Sequence, residues 1–155
     1  VSQAELEGIA VREWEHPRTA IQALSNPAVS TGFTLSTPGA VEQALQALTF
    51  TLATDGNAAN RLVVVKFLDP TGVSFAEVAS PFTQAASLTS VYTFAAGIQQ
   101  FGANDAAHIG VPIPSFLLDV SLSLSVTITA KQVGDQVSLV RAAWSRWPTR
   151  PPLHF

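Results

Sequence analysis

Leu122-Ser123-Leu124-Ser125-Val126-Thr127-Ile128-Thr129 alternates an aliphatic side chain with a hydroxyl one from end to end. A period of two belongs to an extended strand, whose successive side chains point to opposite faces. Such a run buries its aliphatic face and turns its hydroxyls to water or to a partner. Leu48-Thr49-Phe50-Thr51-Leu52 repeats the pattern far from it in sequence. Around these two anchors the stretch from Ala28 to Trp144 breaks into short β-rich runs punctuated by Gly, Pro, Asn and Asp. That is the texture of a sandwich or barrel and not of alternating strand-helix units.

Eight candidate strands follow: Val29–Leu35, Ala44–Thr54, Arg61–Leu68, Val73–Val78, Thr89–Ala95, Ile109–Ile113, Val120–Ala130 and Gln136–Ala143. The expected class is all-β, an antiparallel β-sandwich with the strand count of a jelly roll. Asp69-Pro70-Thr71-Gly72 reads as a type I turn with Pro at its second position, and Val133-Gly134-Asp135 reads as a hairpin closure. Asp55-Gly56-Asn57 turns the chain between two strong strands, and Gln99 to Pro114 reads as a long crossover loop.

The ends differ from the middle. Residues 1–18 carry Glu5, Glu7, Glu13 and Glu15 against Arg12 and Arg18, while Leu6, Ile9, Ala10 and Trp14 recur at helical spacing. Ser2 with Glu5 forms a capping box, so a short amphipathic N-terminal helix ending before His16-Pro17 is expected. Residues 146–155, with Arg146, Trp147 and Arg150 among several prolines, read as an extended basic arm. The expected organisation is therefore an arm over 1–18, a sandwich over 19–145 and a second arm over 146–155.

Composition excludes several functions. The 155 residues contain no Cys, which removes disulfides, thiolate metal sites and cysteine nucleophiles. A net charge of −3 without basic clusters argues against nucleic-acid binding. No apolar run reaches the length of a transmembrane helix, and the acidic first residues are not expected to act as a signal peptide. Charged residues make up 12% of the chain, about half of the roughly 25% of an average soluble domain. The exterior must then be built from Ser, Thr, Gln and Asn, which lose water at far lower cost than ions do.

No catalytic motif is present, and His16, His108 and His154 are scattered over the arms and a loop. The chain is expected not to be an enzyme and to need no cofactor or metal. Asp55-Gly56-Asn57 and Asn104-Asp105 offer oxygen ligands of the kind calcium takes, but turn propensity explains both equally well.

One resemblance emerges once the strands are placed. Leu48 to Asp55, the Asn57 to Arg61 stretch ending in an Asn-Arg pair, and Leu62 to Phe67 are followed by Gln84-Ala85-Ala86-Ser87-Leu88-Thr89, Pro112-Ile113-Pro114 and Gly134-Asp135-Gln136. Over residues 45–144 this succession resembles jelly-roll virion proteins of tailed bacteriophages. The resemblance implies a capsid decoration or minor head protein on the virion surface. Its partners would be the major capsid protein and further copies of itself, with a homotrimer preferred. It makes the arms the natural contacts with neighbours. Trp144 and Trp147 are the expected anchors, because buried Trp dominates interface energetics, with Trp14, Arg146 and Arg150 beside them. Arg61 is the candidate within the sandwich, its alternative role being an ion pair with Asp55 or Asp69. A carbohydrate- or receptor-binding module of a virion or cell surface is the competing function.

Overall fold

A computed structural model of the chain describes residues 17–36, 43–102, 107–118 and 122–147. These form ten strands and contain no helix: β1 (Arg18–Ala23), β2 (Phe33–Ser36), β3 (Gln43–Ala53), β4 (Leu62–Leu68), β5 (Ser74–Ala79), β6 (Thr89–Ala95), β7 (His108–Pro112), β8 (Leu117–Leu118), β9 (Ser123–Thr129) and β10 (Gln136–Arg146).

Four antiparallel pairs organise the chain: β1 with β10, β2 with β9, β3 with β6, and β4 with β5. Early strands thus pair with late ones, as in a long antiparallel ribbon folded at its middle. Two further pairings, β10 with β3 and β4 with β9, roll that ribbon into two sheets. One sheet runs β1-β10-β3-β6-β7 with β8 beside β3, and the other runs β2-β9-β4-β5. With β7 and β8 set aside, this is the strand order of an eight-stranded jelly roll. β7 joins the first sheet parallel to β6, which a connection as long as residues 96–107 permits.

The core lies between the sheets and is supplied by every second residue. Leu48, Phe50 and Leu52 of β3 face Val63, Val65 and Phe67 of β4 and Leu124, Val126 and Ile128 of β9, all nearly inaccessible to water. Phe50 stacks on Tyr92 and Phe94 within its own sheet, at ring centroid distances of 5.3 and 6.1 Å. Phe33 of β2 meets Phe50 edge-on at 5.3 Å from the opposite sheet. Full burial of each such side chain stabilises the fold by about 1.5–3 kcal/mol.

Several expectations change. The first strand of the framework is β1, whose outward residue is the apolar Ile21 and whose inward side presents Gln22, so the usual alternation is inverted. The described strands run from Arg18 at the start of β1 to Arg146 at the end of β10. Residues 29 and 30 form a turn, with Ser30 at a φ of 61°, and the strand expected there starts only at Phe33. Val133-Gly134-Asp135 does not close a hairpin, since β9 and β10 lie in different sheets and the loop crosses between them. The Asp69 turn is a true hairpin: Gly72 N donates to Asp69 O at 3.0 Å, and the Asp69 side chain accepts from the Thr71 and Val73 amides. The expected N-terminal helix and most of both arms lie outside the described residues.

Candidate interaction surface

Arg61, just before β4, is fully buried, and every N–H of its guanidinium has an acceptor. Nε donates to Asp135 Oδ2 at 2.9 Å, one terminal nitrogen donates to the carbonyls of Asn57 and Ala59, and the other donates to Asp55 Oδ1 at 2.7 Å and Asp135 Oδ1 at 2.9 Å. The carboxylates are equally occupied. Asp135 also accepts from the amides of Asp55 and Gln132, while Asp55 accepts from the Asn57 amide and side chain and from Gly134 N. This cluster bolts the β3–β4 crossing to the β9–β10 crossing at one end of the sandwich.

Burial by itself would push the Asp135 carboxyl upward, but hydrogen bonds from Arg61, Gln132 and Asp55 outweigh it and hold the group below its ordinary 3.8. Asp55 is lowered in the same way, against burial and the nearby Asp135 charge, by Gly134 and Asn57. The hydrogen bond with Asp135 in turn raises Arg61. A built-in guanidinium therefore holds the place that calcium would take at Asp55-Gly56-Asn57, while Asn104 and Asp105 fall outside the described residues. Among the described residues no three metal-ligating side chains gather.

Two expected partner contacts are thereby corrected. Arg61 cannot reach a partner, because its side chain is enclosed by its own loops. Trp144 is likewise wholly buried, with its indole N–H donating to Gln22 Oε1 at 3.0 Å, so it anchors β1 to the core and no neighbour. Arg146 and Trp147 are half-buried at the end of β10, where Arg146 lies opposite Arg18 across the strand pair. Both chain ends therefore leave the sandwich from one corner. Trp14 and Arg150 lie outside the described residues.

A cleft of about 190 Å³ is lined by Phe82, Gln84, Leu88, Ser90 and Ile109 among others, with no acid or base among the described residues that line it. The Gln84 amide is committed to the carbonyls of Leu52 and Leu88 and accepts the Tyr92 hydroxyl at 3.0 Å, and burial raises that phenol to about 12. The cleft thus has polar groups that brace strands, not a nucleophile with a base. Among the described residues the large exposed aromatics are Phe75 and Phe101, one on each sheet, so they make no common platform for a sugar ring.

The sheet surfaces are more distinctive. Across the first sheet a register row runs Ile21, Ala143, Ala47, Ala95, Pro112, and the next row runs Ala23, Arg141, Thr49, Thr93, Gly110. These alternate with core residues and form the outer face. Phe101 lies flat on Gly110, where a Cβ would stand 1.9 Å from its ring. The strands of this sheet carry Arg18, Arg141 and Arg146 and no acid. On the other sheet Ser123, Ser125, Thr127 and Thr129 face outward beside Val64 and Lys66, and Lys66 pairs with Glu77 at 3.7 Å.

No family model matches the chain, and no curated protein sequence does. Among solved structures the chain is similar to a protein of the infectious bursal disease virus particle, at 13% identity and a TM-score of 0.46, over 88% of this chain and 33% of that one. It thus spans about a third of that protein. The tobacco streak virus coat protein aligns at 10% identity and a TM-score of 0.33, over 88% and 93% of the two chains. A structure of broad bean stain virus aligns at 10% identity and a TM-score of 0.26, over 90% and 93%. At these scores the likenesses carry no argument, and the jelly roll stands on its own strand pairings.

Proposed function

We propose that this chain is a virion structural protein that decorates or cements a bacteriophage capsid through non-covalent contacts. The observation that carries the reading is the near absence of charge from the sheet exteriors. The ten described strands together hold Arg18, Lys66, Glu77, Arg141 and Arg146 and no further charged residue. Hydroxyl and small aliphatic side chains give up water at little cost, so broad flat faces of this kind suit burial against other subunits. The buried charges, by contrast, are consumed in the Arg61 cluster and leave no acid-base pair for chemistry.

A decoration protein stabilises a shell by mass action, because it binds the assembled form and not the separated subunits. The major capsid protein and further copies of this chain, as a trimer, are the partners in this reading. The C-terminal end is the contact, with Trp147 as its apolar anchor and Arg146 and Arg150 beside it. The carbohydrate- or receptor-binding alternative has no comparable support, since its aromatic platform is missing among the described residues.

The test is co-sedimentation with assembled heads of the phage whose genome encodes the chain. The intact chain is expected to sediment with the heads and to lose affinity at least about tenfold on Trp147→Ala or on removal of residues 148–155, roughly the cost of one hot-spot side chain. An intact chain that stays in the supernatant would overturn the reading.

A further inference from the structure

Strain and buried charge collect at one end of the sandwich. Four connections meet there: residues 24–32 between β1 and β2, 54–61 between β3 and β4, 80–88 between β5 and β6, and 130–135 between β9 and β10. Ser30, Ser87 and Ala130, each in a different one of them, stand at φ values of 61°, 59° and 58°, a left-handed conformation that a side chain makes costly. Each of these segments is tied to the ion cluster. Ser30 N donates to the Asp135 carbonyl at 2.7 Å and Ser87 N to the Asp55 carbonyl at 2.8 Å. Gln132, whose side chain donates to the Ala130 carbonyl, gives its own amide to Asp135 Oδ2. The Thr54 hydroxyl adds a clasp, donating to the Ala85 carbonyl and accepting from Leu88 N. A surface held this firmly loses little conformational freedom on binding.

What this end presents to solvent is apolar and almost uncharged. Val29, Leu88 and Val133 are 54%, 40% and 79% exposed, Val133 being the most exposed of the large hydrophobic residues described. They are neighbours in space, because each is one position in the chain from a group bonded to Asp55 or Asp135. Val29 precedes Ser30, Leu88 follows Ser87, and Val133 precedes Gly134, whose amide donates to Asp55 Oδ2 at 2.8 Å. The four segments contain two acids and two bases. Three of these, Asp55, Arg61 and Asp135, are engaged with one another. Lys131 is the exposed one, on a stem long enough to carry its charge out into water.

We propose that copies of the chain meet one another at this end of the sandwich, with Val133, Val29 and Leu88 packed about a rotation axis. Next to such an axis each residue meets its own counterpart, so a fixed charge there faces a like charge and is repelled. Enclosing Arg61, Asp55 and Asp135 removes that repulsion and fixes the loops at the same time. A second copy is therefore the occupant, and not a partner of opposite charge. The sheet exteriors lack this property, since Arg141 is exposed on one and Glu77 on the other. The end is also separate from the proposed shell contact. β10 runs from Gln136, beside the cluster, to Arg146, so about 33 Å of strand, at roughly 3.3 Å per residue, divides the loops from the C-terminal exit. Resting on the reading in which further copies are partners, this gives the self-contact a surface and leaves the shell to the far end.

The lack of native cysteine makes the test direct, since any disulfide must come from the position introduced. In the full-length chain Val133→Cys is compared with Val73→Cys, a site 61% exposed in the Asp69 turn at the other end of β4. Mild oxidation is expected to join Val133→Cys chains into dimers at least about tenfold faster than Val73→Cys chains, because assembly raises the local concentration of one position and not the other. In sedimentation equilibrium Val133→Asp and Val29→Asp are each expected to weaken self-association at least about tenfold, roughly the effect of one hot-spot side chain, with near-UV circular dichroism unchanged as the sign of a kept fold. An intact chain that stays monomeric when concentrated, equal cross-linking at the two positions, or Asp variants that assemble like the intact chain would each overturn the contact. Binding to phage heads is scored separately. Assembly through Val133 without head binding removes the capsid reading and keeps this contact, and head binding by a chain that fails these tests does the reverse.

Discussion

Asp135 lies 74 residues from Arg61 in sequence, yet the two make a paired contact through Nε and a terminal nitrogen. Their bond is legible only in part. The Asn60-Arg61 pair and Asp55 are close enough in sequence to suggest each other, and that ion pair forms at 2.7 Å. Asp69, the other suggested partner, is already engaged in holding its own turn. Nothing local points to Asp135, whose place beside Arg61 follows from the sheet crossing.

Removing one member of a buried ion cluster leaves the others uncompensated, which costs about 3–5 kcal/mol. Arg61→Ala is expected to lower unfolding stability in urea by that amount. Arg61→Lys recovers little, because a lysine has three donors where five acceptor contacts exist. Both acids sit below 3.8 in the fold, so their contribution is complete above that value and is lost as pH falls through their lower native values. The melting temperature is expected to hold from neutrality to about pH 4, near the unfolded value of 3.8, and to drop below it. Asp135→Asn starts lower and drops less, and parallel profiles for the two proteins would contradict the assignment. Trp144→Ala belongs to the same scale. It is expected to cost about 3–5 kcal/mol as a core truncation, without changing head binding by the fraction that remains folded.

At the scale of elements, legibility tracks how cleanly one face is buried. β6 (Thr89–Ala95) lies where alternation puts it, β3 is shifted by one residue at both ends and β4 starts one residue later than expected, because each shows alternating burial over most of its length. β1 was unreadable as a strand for the opposite reason: its strongest apolar residue faces out, and its inward anchor is the amide of Gln22. β8 has only two residues, too short for any period.

The bulge in β10 is equally hidden. Register with β3 slips between Ser138 and Arg141, and Leu139 stands at a φ of 54°, its side chain exposed and its amide donating to Asn26 Oδ1 at 3.2 Å. A left-handed conformation costs a side-chain-bearing residue about 1–2 kcal/mol, so Leu139→Gly is expected to leave the fold as stable or to stabilise it by about 1 kcal/mol in thermal unfolding. Gly32 is the reverse case. A Cβ there would stand 2.0 Å from the Val126 carbonyl oxygen of β9, so Gly32→Ala is expected to separate β2 from β9 and to lower the melting temperature by several degrees, as about 1–3 kcal/mol of overpacking does in a domain of this size.

For the whole molecule, the topology turns a weakly charged sequence into two broad faces and one corner. The ribbon pairing places the first and last strands side by side, so both chain ends depart from the same edge of the first sheet. The sandwich interior, its buried ion cluster and its cleft account for themselves as stabilising structure. In the proposed reading, binding is left to the exterior, to the weakly charged sheet faces and the C-terminal end. The central claim is that the chain is a component of assembled particles, and quantitative mass spectrometry of purified virions from the encoding genome tests it most directly. The account predicts the chain in the particles in a fixed ratio to the major capsid protein, retained through density-gradient purification; its presence only in the soluble fraction of the lysate, with none in the particles, would contradict it.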